Sequence, residues 1–162
     1  MQEKKGLFSA KSLACYIKQY YYDHFKRDIS PIKLQKSLYF CFAYWGGHVR
    51  KSLLPETEIT IEKSDWLFDE NIEAWVYGPV VPDVYHELDL DSYKDENLFK
   101  GNEDVQEFIN GILDDIISVS DFKLVEVSHS DQCWIDKFDP NAEHHNEVID
   151  KESIIEEYAK IY

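Results

Sequence analysis

The chain has 162 residues, 17 Lys and Arg against 32 Asp and Glu, and a formal net charge of −15. A hydrophobic share of 44% and an aromatic share of 15% exclude a disordered acidic tail, which would be poor in rings. The length fits one domain spanning 1–162, and the acidity excludes non-specific binding to nucleic acid or to an anionic membrane surface.

The charge is split along the chain. Residues 1–51 hold ten basic and three acidic residues, a balance of +7. The other 111 residues hold seven basic and 29 acidic ones, a balance of −22, which offers an acidic face to a basic partner. The N-terminus MQEKKGLFSA has no apolar core of a signal peptide, and no window is apolar enough to span a membrane. Cys15, Cys41 and Cys133 are odd in number and widely spaced, as expected of reduced thiols in a cytoplasm.

In chain order, residues 9–25 predict a helix capped by Ser9, with Leu13, Ile17, Tyr20, Tyr21 and His24 on one face. Ser30 and Pro31 open a second helix, in which Leu34, Leu38, Cys41, Phe42 and Trp45 form one stripe. Gly46-Gly47 ends or loosens it. Residues 51–65 read as a polar loop with one short strand around Ile59-Thr60-Ile61. Ile72–Tyr77 reads as a brief strand before a Gly78-Pro79 turn, and Pro82 opens a short helix carrying Val84, Tyr85 and Leu88. Residues 89–101 read as a charged loop. Asn102 caps the most regular helix, with Val105, Phe108, Ile109, Ile112, Leu113 and Ile116 as its stripe. Residues 121–138 form one broken helix or two short ones, with Leu124, Val127, Trp134 and Phe138 inward. Residues 139–150 read as a loop, and Ile154, Tyr158 and Ile161 mark a last amphipathic helix. The expected fold is mainly α: a single compact helical domain of about six helices, with at most a minor short strand pair near 59–77.

Catalytic signatures are absent. There is no G-x-S-x-G, no P-loop and no G-x-G-x-x-G, and the carboxylates are too numerous for any pair to inform. His129, Cys133, His144 and His145 invite a zinc reading, but the paired spacing of zinc sites is missing; a buried His beside a buried Cys is favoured, and no metal is expected. Tyr20, Tyr21 and Tyr22 among lysines could stack bases, yet a half-buried aromatic helix is favoured.

Two blocks are more specific. One is Ile29-Ser30-Pro31-Ile32-Lys33-Leu34-Gln35-Lys36-Ser37-Leu38-Tyr39-Phe40, and the other is Ile72-Glu73-Ala74-Trp75-Val76-Tyr77-Gly78-Pro79-Val80-Val81-Pro82-Asp83-Val84-Tyr85. Together they resemble the Panacea domain of bacterial and phage antitoxins, the SocA-like family, whose pattern reads SPxKLQKLLYF followed by LFxExIEAWxYGPVxPxVY. Ser128-His129-Ser130-Asp131-Gln132-Cys133-Trp134 is similar to that family's LTHxExPW segment, and the likeness runs from about Ile17 to Tyr158. Two departures stand out: Cys133 replaces a usual Pro, and Gly46 to Trp66 is longer than the family's gap, an extra acidic segment at about 46–66. Ser30, Pro31, Lys33, Leu34, Gln35, Lys36, Trp75, Tyr77, Gly78, Pro79, Pro82, Tyr85, His129 and Trp134 carry the motif and are read as structural.

The resemblance implies an antitoxin that binds and neutralises a cognate toxin by direct protein–protein contact. It implies no catalysis and no cofactor, and a cytoplasmic place in a bacterial cell, encoded by chromosome, phage or mobile element. The expected partner is a basic toxin or host target protein, with no direct nucleic-acid or membrane binding. Trp66, Phe68, Tyr93 and Phe99, rings in acidic stretches, are the expected contacts, with Glu56, Glu58, Glu62 and Asp65 beside them. The alternative is a phage-encoded acidic inhibitor that mimics nucleic acid and blocks a host nuclease or defence protein.

Overall fold

A computed structural model of the protein describes residues 6–52 and 63–162. The Ser9 hydroxyl accepts from the Ser12 backbone N–H and starts α1 (Ala10–Phe25), which buries Leu13, Ile17 and Tyr21. Lys26, at φ 55°, ends it by donating to the Tyr22 carbonyl. The Ser30 hydroxyl accepts from Lys33 N at 3.0 Å and starts α2 (Pro31–Ser52).

Of the two outcomes the sequence allowed at Gly46-Gly47, an end or a loosening, the end does not occur: helix α2 continues to Ser52. The two glycines mark where the last helix, α7 (Lys151–Ala159), presses against it. A Cβ on Gly46 would stand 2.6 Å from Ile155 Cγ1, and one on Gly47 would stand 2.6 Å from the Tyr158 carbonyl carbon. Close approach therefore outweighs the propensity cost of two glycines inside a helix.

Between them the chain forms a small antiparallel sheet of β1 (Glu73–Trp75), β2 (Gly78–Val80) and β3 (Glu147–Val148), in the order β2-β1-β3. The strand pair thus lies at 73–80, at the end of the predicted 59–77 window. The strand expected at Ile59–Ile61, and the acidic segment apart from its two ends, lie outside the described residues. Strand β3 arises in a stretch predicted as loop, because β1 offers it a partner. Gly78-Pro79, predicted as the turn, is strand; the turn residues are Val76-Tyr77.

The remaining helices are α3 (Pro82–Tyr85), α4 (Glu103–Ile116), α5 (Asp121–His129) and α6 (Gln132–Ile135), with a 3₁₀ turn at Leu90–Tyr93. Seven α-helices and a three-stranded sheet among the described residues make the fold mainly α. Predicted inward positions Leu88, Val127 and Ile161 are exposed: α3 ends before Leu88, α5 turns Val127 outward, and α7 ends before Ile161. Asn102 does not cap α4 with its side chain; its Oδ1 accepts from Lys63 Nζ at 2.8 Å. No helix among the described residues is long and apolar enough to cross a membrane.

Helix α2 is the axis of the core and touches α1, α4, α5 and α7. One polar knot ties three helices. Asp131 Oδ2 accepts from the hydroxyls of Tyr39 on α2 and Tyr158 on α7, and Glu157 accepts from the first backbone N–H groups of α6. Burial holds the Asp131 carboxyl above its usual range despite those two donors. Cys133 is buried 3.3 Å from the Tyr39 hydroxyl, and burial pushes its thiol up to about 12, which favours the protonated thiol of a packing residue.

Candidate functional site

The motif blocks converge on one hairpin. Glu73-Ala74-Trp75 pairs with Gly78-Pro79-Val80, with Trp75 opposite Gly78. Neither turn residue has positive φ; the left-handed step falls on Gly78 at φ 108°. A Cβ there would stand 2.4 Å from Ser128 Oγ and 3.0 Å from Lys36 Cε, so only glycine fits on both counts. Pro79 is tolerated because β2 is an edge strand.

Four motif side chains grip the hairpin backbone. From α2, Lys36 Nζ donates to the Pro79 carbonyl at 2.9 Å. Gln35 makes a two-point contact with Val81, accepting its N–H at 2.8 Å and donating to its carbonyl at 3.3 Å. From the other side, Trp134 Nε1 donates to the Trp75 carbonyl and His129 Nε2 donates to the Val76 carbonyl, each at 2.9 Å. A ring stack supports the second pair: His129 on Trp134 at 4.2 Å, Trp134 on Phe138 at 4.6 Å, and Phe138 against His145 at 4.8 Å between centroids.

The lysines of the KLQK block are not surface charges. Lys33 donates to the Ile117 carbonyl at 3.1 Å and lies 3.5 Å from Asp121, whose other oxygen takes the Ser30 hydroxyl. This pins the start of α2 to the α4–α5 junction. Lys36 is 1% exposed, and burial alone brings its ammonium down to about 7. Leu34 joins the core, and Pro82 starts α3, whose Val84 is buried.

Held in this way, the hairpin presents rings to solvent. Tyr77 is 63% exposed and Tyr85 55%, with Val76 also exposed and Trp75 half-buried. Trp75 meets Tyr85 edge-on at 4.9 Å and anchors its Nε1 on Glu73. Beside them runs a groove of about 320 Å³, walled by Ile32, Trp75, Val80 and Tyr85, with Lys36 and His145 also lining it.

A family model, that of the antitoxin SocA-like Panacea domain, matches residues 34–135. The chain belongs to this family. The Panacea match contains the whole hairpin, Gln35, Lys36, His129 and Trp134, so the gripped hairpin lies within the part the family shares. Ser30, Pro31 and Lys33 lie just before it, and α1 and α7 lie outside it. No curated protein and no solved structure matches the chain.

The rings expected to make contacts sit elsewhere. Phe68 is fully buried and packs on Phe42 at 4.9 Å, and Phe99 is buried edge-on between Phe8 and Tyr16, so neither offers surface to a partner. An acidic neighbourhood does not mean exposure: Phe99 anchors a charged loop to the core. Trp66 is half-buried, donates to Glu152 at 3.2 Å and lies under Lys151 Nζ at 5.2 Å. Asp65 is buried against Arg50 at 2.6 Å. Tyr93 is half-buried and takes Lys11 Nζ at 3.4 Å. Glu56, Glu58 and Glu62 lie outside the described residues. Of the four expected rings, Phe68 and Phe99 are therefore buried and Trp66 and Tyr93 half-buried, while Tyr77 and Tyr85, read as packed motif residues, are exposed. The alternation of buried Ile72 and Ala74 with outer Glu73 and Trp75 is the signal that marks the outer face.

The zinc candidates are dispersed. His129 and His145 occupy opposite ends of the ring stack, Cys133 turns to Tyr39, and His144 is exposed. Among the described residues no cluster of three His, Cys, Asp or Glu side chains is placed to hold a metal ion.

Proposed function

We propose that the protein is an antitoxin that binds a toxin protein through the hairpin face and neutralises it by occlusion, with no catalysis of its own. One observation carries this reading: the family-defining segment ends in exposed rings on a backbone fixed by four side-chain contacts. Tyr and Trp supply most affinity at protein interfaces, and a rigid presenting element loses little entropy on binding. The net charge of −15 favours a basic toxin, because complementary charge speeds encounter and fixes orientation.

The test is co-expression with the product of the adjacent open reading frame. The antitoxin should restore growth and co-purify with that product. Tyr77→Ser combined with Tyr85→Ser should abolish rescue while leaving the thermal midpoint within about 2 °C, as expected for exposed positions. Full rescue by this variant, or no toxicity and no complex for the neighbour, would refute the proposal.

A further inference from the structure

Among the described residues, the groove beside the hairpin is lined by no acidic side chain, in a chain that carries 32 of them. Two nitrogens in its wall have unspent capacity. The Lys36 ammonium carries three N–H donors and uses one, on the Pro79 carbonyl, and no carboxylate pairs with it. His145 Nε2 is buried and has no hydrogen-bond partner among the described residues. Buried polar atoms are almost always satisfied, and an anion beside Lys36 would favour the charged form that burial disfavours, so the two side chains lining one groove suit an external acceptor. The remaining wall is apolar and aromatic, through Ile32, Trp75 and Tyr85.

We propose that this groove binds a carboxylate-bearing apolar segment of the partner protein, with the carboxylate accepting from Lys36 Nζ and His145 Nε2 and the adjoining side chain resting on Trp75 and Tyr85. This rests on the reading that the hairpin face meets the toxin, and it names what that face recognises. Charge complementarity selects the occupant: a cation would meet Lys36, and a neutral apolar segment would leave both nitrogens unanswered. A carboxylate has lone pairs for both, and charge-assisted bonds of this kind are the stronger class. A volume of about 320 Å³ suits one large side chain with its carboxylate.

The test needs no toxin. The full chain is titrated with N-acetyl-tryptophan as the free acid and as the amide, and followed by NMR. The acid should shift the His145 ring, the Lys36 side chain and the amides of residues 75–80, and bind about tenfold more tightly than the amide. Lys36→Met should remove that preference; His145→Phe, at a half-buried position, should reduce it about threefold and serves if Lys36→Met does not fold. A blocked Trp-Glu dipeptide amide then separates a side-chain carboxylate from a chain terminus as the source. Equal binding of acid and amide, shifts confined to the cleft beside α1, or no shifts at about 20 mM would overturn the proposal. Growth rescue reads the antitoxin role separately, so rescue that persists when acid and amide bind alike would sink this inference alone.

Discussion

Two concavities among the described residues differ in the charges that line them. The larger, about 770 Å³, lies between α1 and the 91–106 region. It is lined by five carboxylates and three lysines, of which Lys18 pairs with Asp91 at 3.2 Å. The smaller, beside the hairpin, has no carboxylate, one buried ammonium and one unpartnered imidazole nitrogen. The larger hollow therefore carries both signs of charge with carboxylates in excess, while the smaller one is mainly apolar with one lysine and one histidine. The hairpin wall of the smaller hollow, with Gln35 and Lys36, falls within the family match, while Pro31, Ile32 and His145 lie outside it.

The largest expected effect separates two glycines, one from each region. Gly78→Val should cost about 3–5 kcal/mol and uncouple the hairpin, because its Cβ collides with Ser128 and Lys36 and its φ is positive. Gly101, also left-handed at φ 79° but with nothing within 4 Å of a Cβ, should lose only about 1 kcal/mol as Gly101→Ala. Urea unfolding of both variants checks the contrast, and equal costs would break it.

Next comes a pH effect confined to the hairpin side. Lys36 has a folded pKa of about 7 against 10.5 unfolded, so between these values the unfolded chain binds more protons and stability rises with pH. The groups against Lys36, the Pro79 carbonyl, Gly78 and the Ser128 hydroxyl, do not titrate in that window. Lys36→Met should lack this rise, so its stability relative to wild type should fall by about 2–4 kcal/mol from pH 7 to pH 10. A constant difference in urea titrations would show that the ammonium is not desolvated. Tyr158→Phe, which removes one donor from buried Asp131, should cost a smaller amount, about 1–2 kcal/mol.

Legibility followed the same division between local and distant causes. Helix starts at Ser9 and at Ser30-Pro31 were readable because a cap and a stripe are neighbours in sequence. Gly46-Gly47 was ambiguous because a glycine that breaks a helix and one that admits α7 look alike until Ile155 and Tyr158 are in place. Strand β3 was invisible for the same reason: two residues become strand only because β1 lies beside them. The site was legible as a block of letters but not as a surface. Nothing local in the YGPVVP segment says that Lys36, His129 and Trp134 will occupy its inner side and leave Tyr77 and Tyr85 outside.

The smallest expected stability effect, below about 0.5 kcal/mol, belongs to Tyr77→Ser with Tyr85→Ser, and the same variant carries the most direct test. Affinity for the co-encoded toxin should be measured for this pair and for a cleft pair, Tyr22→Ser with Lys94→Ala, both at residues lining or flanking their hollow. The account predicts a loss of about 100-fold or more for the hairpin pair and less than about threefold for the cleft pair. A hairpin pair that binds like wild type, or a cleft pair that loses binding instead, would contradict it.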